Sequence, residues 1–247
     1  MLTHGLAGAR TGKPVCQHLL SVLFTTPYKN FIMSDQHRAV AIDGPAASGK
    51  STVAKRLSKS LGVVMVNSGA MYRAVTWQVL QEGVEPADSK AVIAALQKME
   101  IVCGVDEGFS DIRINGRLLT EELRSEEVNN NVSKVAAIPE VRDRLVAMQR
   151  AYRASNDVVM EGRDIGSVVF PETPFKLYID ASEEVRRARR AGDGEADAVA
   201  ARDAQDSQRK TAPLKISEGA IVIDSSEMGI DEVVEAAHRA LISLGWE

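Results

Sequence analysis

From Arg38 onward, short unbroken apolar runs alternate with stretches whose apolar residues recur every three or four positions. RAVAI (38–42) is a continuous run closed by Asp-Gly-Pro, the pattern of a short strand buried on both faces. STVAKRLSKSLG (51–62) then puts Val53, Ala54, Leu57 and Leu61 on one side of a helix that stops at Gly62. VVMV (63–66) predicts a second strand, followed by a helix through MYRAVTWQVLQEG (71–83). DVVM (157–160), FKLYID (175–180) and AIVID (220–224) are strongly β-prone. SEEVRRARR (182–190) and IDEVVEAAHRALISLG (230–245) are the helices that follow the last two. Apolar strands alternating with helices predict an α/β fold with a parallel sheet covered on both faces.

The rhythm changes over residues 100–155. EIVCGV (100–105) and DIRINGRLL (111–119) read as antiparallel strands, and Asn115-Gly116 is a tight-turn dipeptide. Two helical segments follow, SEEVNNNVSKVAAI (125–138) and PEVRDRLVAMQRAYRA (139–154), the second with Pro139 at its first position. This block is expected to be an inserted α+β subdomain on the α/β core. Residues 1–32 contain Arg10, Lys13 and Lys29 but no acidic residue, and show no helical or strand period. They are expected to form a disordered extension preceding a folded region at 38–243. QHLLSVLF (17–24) imitates the apolar core of a signal peptide, but no small-residue cleavage site follows it.

Composition narrows the function classes without choosing among them. At 247 residues, with 45% apolar and 26% charged residues, the chain has ample material for one large α/β domain or two small ones. Thirty basic residues against 34 acidic ones give a formal charge of −4, which argues against nucleic acid as the main partner. A local basic pocket for a small phosphorylated ligand is compatible with that balance. The two cysteines, Cys16 and Cys103, have no CxxC spacing, and the four histidines have no metal-ligand spacing. The expected picture is free thiols in the cytoplasm and no His/Cys metal site. No run approaches the ~20 apolar residues that span a bilayer, so no membrane partner is expected.

GPAASGKS, Gly44 to Ser51, fits the phosphate-loop pattern G-x-x-x-x-G-K-[ST] between a predicted strand and a predicted helix. Gly44 and Gly49 let the backbone curl so that N–H groups along Gly44, Pro45, Ala46, Ala47, Ser48, Gly49, Lys50, Ser51 and Thr52 face phosphate oxygens, Pro45 excepted. Lys50 can reach the outer phosphates of ATP, and the Ser51 hydroxyl can ligate Mg²⁺. A regulatory GTPase would use the same loop, but the chain has no NKxD segment and no DxxG at a strand end.

Three further clusters point to an acceptor. NSGAMYRA (67–74) offers Asn67 and Ser68 as helix caps, with Arg73 over a turn beyond. VVMEGRDIGSVVFP (158–171) ends a strand in Glu161-Gly162-Arg163-Asp164, at the carboxyl edge where α/β sheets bind ligands. Glu161 is placed to be the acidic partner of Mg²⁺ through water, and a structural ion pair is the minority alternative for Arg163 with Asp164. Arginines from 186 to 209 flank the break AGDGEAD (191–197), which suits either a solvated helical hairpin or a mobile lid at 186–210 that closes cations over a transferring group. Together these features favour a kinase of a small phosphorylated acceptor over an ATPase.

GPAASGKST, NSGAMYR, EGRDIGSVVFP, RKTAPL and IVIDSS occur in an order and spacing that resembles the bacterial cytidylate kinases, the type 1 CMP/dCMP kinases, over about residues 38 to 243. The resemblance implies a P-loop NTP hydrolase fold with an NMP-binding insert and an Arg-rich lid. It also implies transfer of the ATP γ-phosphate to CMP or dCMP, and a monomer is expected because the substrate contacts all come from one chain. Carried over by motif, Ser68, Arg73 and Arg163 surround the acceptor's phosphate and neighbouring groups. Asp164 reads the cytosine, with Ser133 and Arg142 contributed by the insert. Arg202, Asp206 and Arg209 match sugar- and phosphate-contacting positions, and Arg189 resembles the lid arginine that helps hold ATP. The catalytic set implied is Lys50, Arg163, Arg189 and Arg202. The chain departs from the family at Asn67, where relatives often carry an acid, in a shorter lid between Arg190 and Arg202, and at the uncharged Gln205 and Ser207. Other small-acceptor kinases, for UMP or shikimate, and a silent nucleotide-binding regulator remain the alternatives.

Overall fold

A computed structural model describes residues 37–191 and 214–247. The expectations for residues 1–32, and those for Arg202, Asp206, Arg209 and the rest of the lid beyond residue 191, lie outside the described residues.

Among the described residues eight strands form one sheet in the order β3-β4-β2-β6-β1-β7-β8, with β5 alongside β4. The strands are β1 (Ala39–Asp43), β2 (Val64–Asn67), β3 (Ile101–Asp106), β4 (Phe109–Ile114), β5 (Arg117–Leu118), β6 (Val158–Gly162), β7 (Lys176–Asp180) and β8 (Ile221–Asp224). From β2 to β8 every neighbouring pair is parallel. β1 lies near the middle, and all five of its residues are buried, as its unbroken apolar run predicts.

The pleat divides the core in two. Ala39 and Ala41 of β1, with Val158 and Met160 of β6, face α2 (Ser68–Gln81), α3 (Ser89–Lys98), α4 (Glu126–Ala136) and α5 (Pro139–Ala151). Val40 and Ile42, with Val159, Leu177 and Ile179, face α1 (Lys50–Leu61) and α7 (Ile230–Ser243). α1 packs Val53, Ala54 and Leu57 as expected and ends at Gly62, whose left-handed φ of 68° lets its N–H bond the carbonyl of Ser58. α6 (Glu183–Ala191) buries no residue fully.

The segment 100–155 has the expected hairpin, with β3 antiparallel to β4 and Asn115-Gly116 turning β4 into β5. β4 also pairs in parallel with β2 at Met65 and Phe109, so the hairpin's backbone bonding is continuous with the central sheet. Two features go beyond the sequence expectation. α3 is a ten-residue helix capped by Asp88, whose carboxylate accepts the N–H of Ala91 at 3.1 Å. After β6 the chain coils into a single π turn, Ile165–Val169, instead of an α-helix.

Candidate active site

Strands β2, β6 and β1 are neighbours, and their carboxyl ends are level: Asn67 pairs with Glu161, and Asp43 with Gly162. Strand spacing is about 4.8 Å, so three motifs separated by tens of residues in sequence lie side by side at one sheet edge. They open into a cavity of about 950 Å³.

The phosphate loop leaves β1 at Gly44. A side chain there would run into the carbonyl oxygen of Ile179, so only glycine lets the loop pass this close to β7. Gly49, in the left-handed region at φ 89°, precedes Lys50 and Ser51, the first residues of α1. The Lys50 ammonium is buried and donates to the Pro45 carbonyl at 3.0 Å. The Ser51 hydroxyl donates to Oε1 of Glu161 at 2.9 Å, joining the two residues expected to serve Mg²⁺. Two oxygens on one cavity wall fit a hard cation that keeps its remaining sites for phosphate and water. Among the described residues no cluster of three His, Cys, Asp or Glu could hold a metal alone.

The same cavity is lined by the expected acceptor residues. Arg142 and Asp164 form an ion pair whose side chains are only 5% and 7% exposed. Ser133 lines it as well, one turn beyond Asn129 on α4. Arg73 donates from one nitrogen to the Leu123 carbonyl at 2.9 Å and to the Asn129 side-chain oxygen at 2.6 Å. Ser68 donates to the Glu161 carbonyl at 2.8 Å, and Arg163 to the Gly44 carbonyl at 2.9 Å. Lys50, Arg73, Arg124, Arg142, Arg163 and Arg190 line the cavity against two acids, Glu161 and Asp164. A chain of net charge −4 thus concentrates positive charge where a doubly charged phosphate would sit.

Asn67, one of the departures, caps α2 by accepting the N–H of Ala70 at 3.0 Å, so the missing acid leaves the cap intact. Arg189 does not line the large cavity. It bonds the Ser225 hydroxyl at 3.1 Å and the Ser225 carbonyl at 2.8 Å, beside a second cavity of about 320 Å³ behind the loop. That cavity is lined by Ser48, Gly49 and Thr52 of the loop together with Met228 and Ile230. Arg190, part of the arginine cluster but given no site role from the sequence, lines the large cavity instead. Consecutive helical residues project about 100° apart, so one arginine of the pair serves each cavity. Asn129 was legible in principle, because it lies four residues before Ser133 on the same helix face.

Asp43 was also missed. Its buried carboxylate accepts the N–H of Ile165 at 2.7 Å and of Gly166 at 2.8 Å. Burial pushes its pKa up to about 6 and nearby Asp164 adds to the rise, while the two N–H groups and Lys50 oppose it.

A phosphate loop on a parallel sheet, facing a walled basic cavity, defines a phosphoryl-transfer enzyme of the P-loop kinase class. The family model described as cytidylate kinase matches residues 40–242, and the chain belongs to that family. It is 40% identical over 205 residues to a cytidylate kinase of Streptomyces avermitilis, covering 79% of this chain and 89% of that one. It is 43% identical over 208 residues to a cytidylate kinase of Clostridium botulinum strain Langeland, covering 80% and 94%. With that of Caldanaerobacter subterraneus subsp. tengcongensis it shares 41% over 213 residues, covering 82% and 93%.

Proposed function

We propose that the chain transfers the γ-phosphate of ATP to CMP and dCMP, giving CDP and dCDP. The observation that carries this reading is the buried Arg142–Asp164 pair, which lines the same cavity as the phosphate loop. Cytosine presents an amino donor beside N3 and O2 acceptors. Asp164 accepts from the amino group, while Arg142 and the Ser133 hydroxyl donate to the acceptors. Uracil places an acceptor, O4, against that carboxylate and is rejected.

Arg73, Ser68 and Arg163 hold the acceptor phosphate, already an oxyanion, so the reaction needs no strong general base. The CMP phosphate oxygen attacks the γ-phosphorus in line, the bond to the β-phosphate oxygen breaks, and ADP leaves. Lys50, released from the Pro45 carbonyl, follows the charge onto the leaving oxygen, and Arg190 screens the repulsion between the two anions. Ser51 and Glu161 would hold Mg²⁺, which when bound would supply charge neutralisation at the outer phosphates. The smaller cavity, with Arg189 and Ser225, takes the base of ATP. Arg202, Asp206 and Arg209 are assigned to the acceptor's sugar and phosphate by motif alone. We infer a monomer, because every group in this scheme comes from one chain, and the formal charge of −4 argues against nucleic acid as the main partner.

A coupled ADP-release assay with CMP, dCMP, UMP and AMP tests the reading. CMP and dCMP should exceed the others by about tenfold or more in kcat/KM, the discrimination available from buried polar groups left unpaired by the wrong base. Comparable turnover of UMP or AMP would overturn it.

A further inference from the structure

The donor and acceptor walls are stitched together by two consecutive residues at the end of β1. Gly44 accepts the Arg163 guanidinium through its carbonyl. Asp43 accepts the N–H groups of Ile165 and Gly166, the first two amides after Asp164. These two amides open the π turn, where no preceding turn of helix supplies them with carbonyl partners. A carboxylate 122 residues away in sequence supplies both acceptors instead.

Asp43 shares the parity of Ala39 and Ala41, so its side chain leaves β1 on the acceptor face and not toward α1. The fit on that face is tight. A Cβ on Gly166 would come within 2.7 Å of the Ser217 hydroxyl and 3.3 Å of Oδ2 of Asp43. Packing alone does not call for a carboxylate in such a place, since burying its charge is unfavourable. What it supplies is a fixed distance between the strand that launches the phosphate loop and the segment carrying Arg163 and Asp164.

We propose that Asp43 is a positioning residue for nucleobase selection: by holding the Ile165 and Gly166 amides it sets where Asp164 meets the acceptor base relative to the phosphate loop. The inference rests on the reading of Asp164 as the base-reading group. Loss of one of the two bonds lets the turn shift. Asp164 then moves against Arg142 and the base, while Lys50, Ser51 and Glu161 keep their own contacts. Selectivity between acceptors therefore changes before ATP binding does.

Asp43→Asn is the test, because the amide retains shape and one acceptor oxygen but turns a donor toward one of the two N–H groups. In the full-length enzyme the CMP-over-UMP ratio in kcat/KM should fall by about threefold or more, the scale expected when a reading group is displaced. KM for ATP should stay within about twofold, because uniform donor binding is untouched. Hydrogen exchange at the Ile165 and Gly166 amides should accelerate. Loss of amide protection with an unchanged CMP-over-UMP ratio would make Asp43 a structural cap only and overturn the proposal, as would unchanged protection. If Asp43→Asn does not fold, Gly166→Ala carries the test by pressing on the same contact with the carboxylate intact. An unchanged ratio in that folded variant overturns the proposal equally. A wild-type enzyme that does not prefer CMP counts against the base-reading assignment, a separate outcome read before any variant is made.

Discussion

Removing either charge of the Arg142–Asp164 pair should unfold the protein far more readily than removing both. With side chains 5% and 7% exposed, neither group can recover its hydration when its partner is lost. Arg142 also donates to the Ala136 carbonyl at 3.4 Å and lies 5.7 Å from the centre of the Tyr72 ring. Breaking such a buried pair costs about 3–5 kcal/mol, whereas replacing both partners by apolar groups is close to neutral. In a chain of this length each kcal/mol moves Tm by about 2–4 °C, so Arg142→Met or Asp164→Leu alone should lower Tm by about 6–20 °C. The double variant should recover most of that loss while remaining unable to choose CMP. Urea unfolding with a shared m-value gives the three free energies, and the coupling is the double-variant loss minus the sum of the single losses. Single losses below about 1 kcal/mol, the scale of an exposed ion pair, would refute the reasoning. So would a double variant as unstable as the two singles added.

Two other outcomes follow from contacts at the same edge. Asn129→Ala removes the carboxamide oxygen that accepts from Arg73, while the guanidinium keeps its bond to the Leu123 carbonyl. kcat/KM for CMP should fall by about tenfold with KM for ATP nearly unchanged, and equal effects on both nucleotides would refute the assignment. Asp43 gives the enzyme a pH-dependent stability of unusual sign. Its pKa is about 6 in the fold against an ordinary 3.8, so between those values the native state binds a proton that the unfolded chain has released. Its contribution is therefore fullest in acid and falls by about 3 kcal/mol as pH rises through that window. Subtracting the stability of Asp43→Asn from that of wild type at several pH values isolates this slope, and a difference flat from about pH 4 to 7 would contradict it.

The strand–loop–helix unit at residues 39–61, the turn at Asn115-Gly116 and the start of α5 at Pro139 were all legible in the sequence. Each depends on contacts within a few residues, which periodicity and turn chemistry encode directly. Motif matching likewise singled out Lys50, Ser51, Ser68, Arg73, Arg142, Arg163 and Asp164, and the fold gathers them around one cavity. What the linear pattern left open is which groups touch across the sheet. The order β2-β6-β1 brings Ser51 to Glu161 and Asp43 to Gly166, pairs 110 and 123 residues apart. Helix phase sends the adjacent Arg189 and Arg190 to different cavities. The amino-acid order by itself determined the fold class, the phosphate-holding chemistry and the family. Only the tertiary structure decided that Asp43 accepts the Ile165 and Gly166 amides and that Asn129 accepts from Arg73, because those partners lie on other elements.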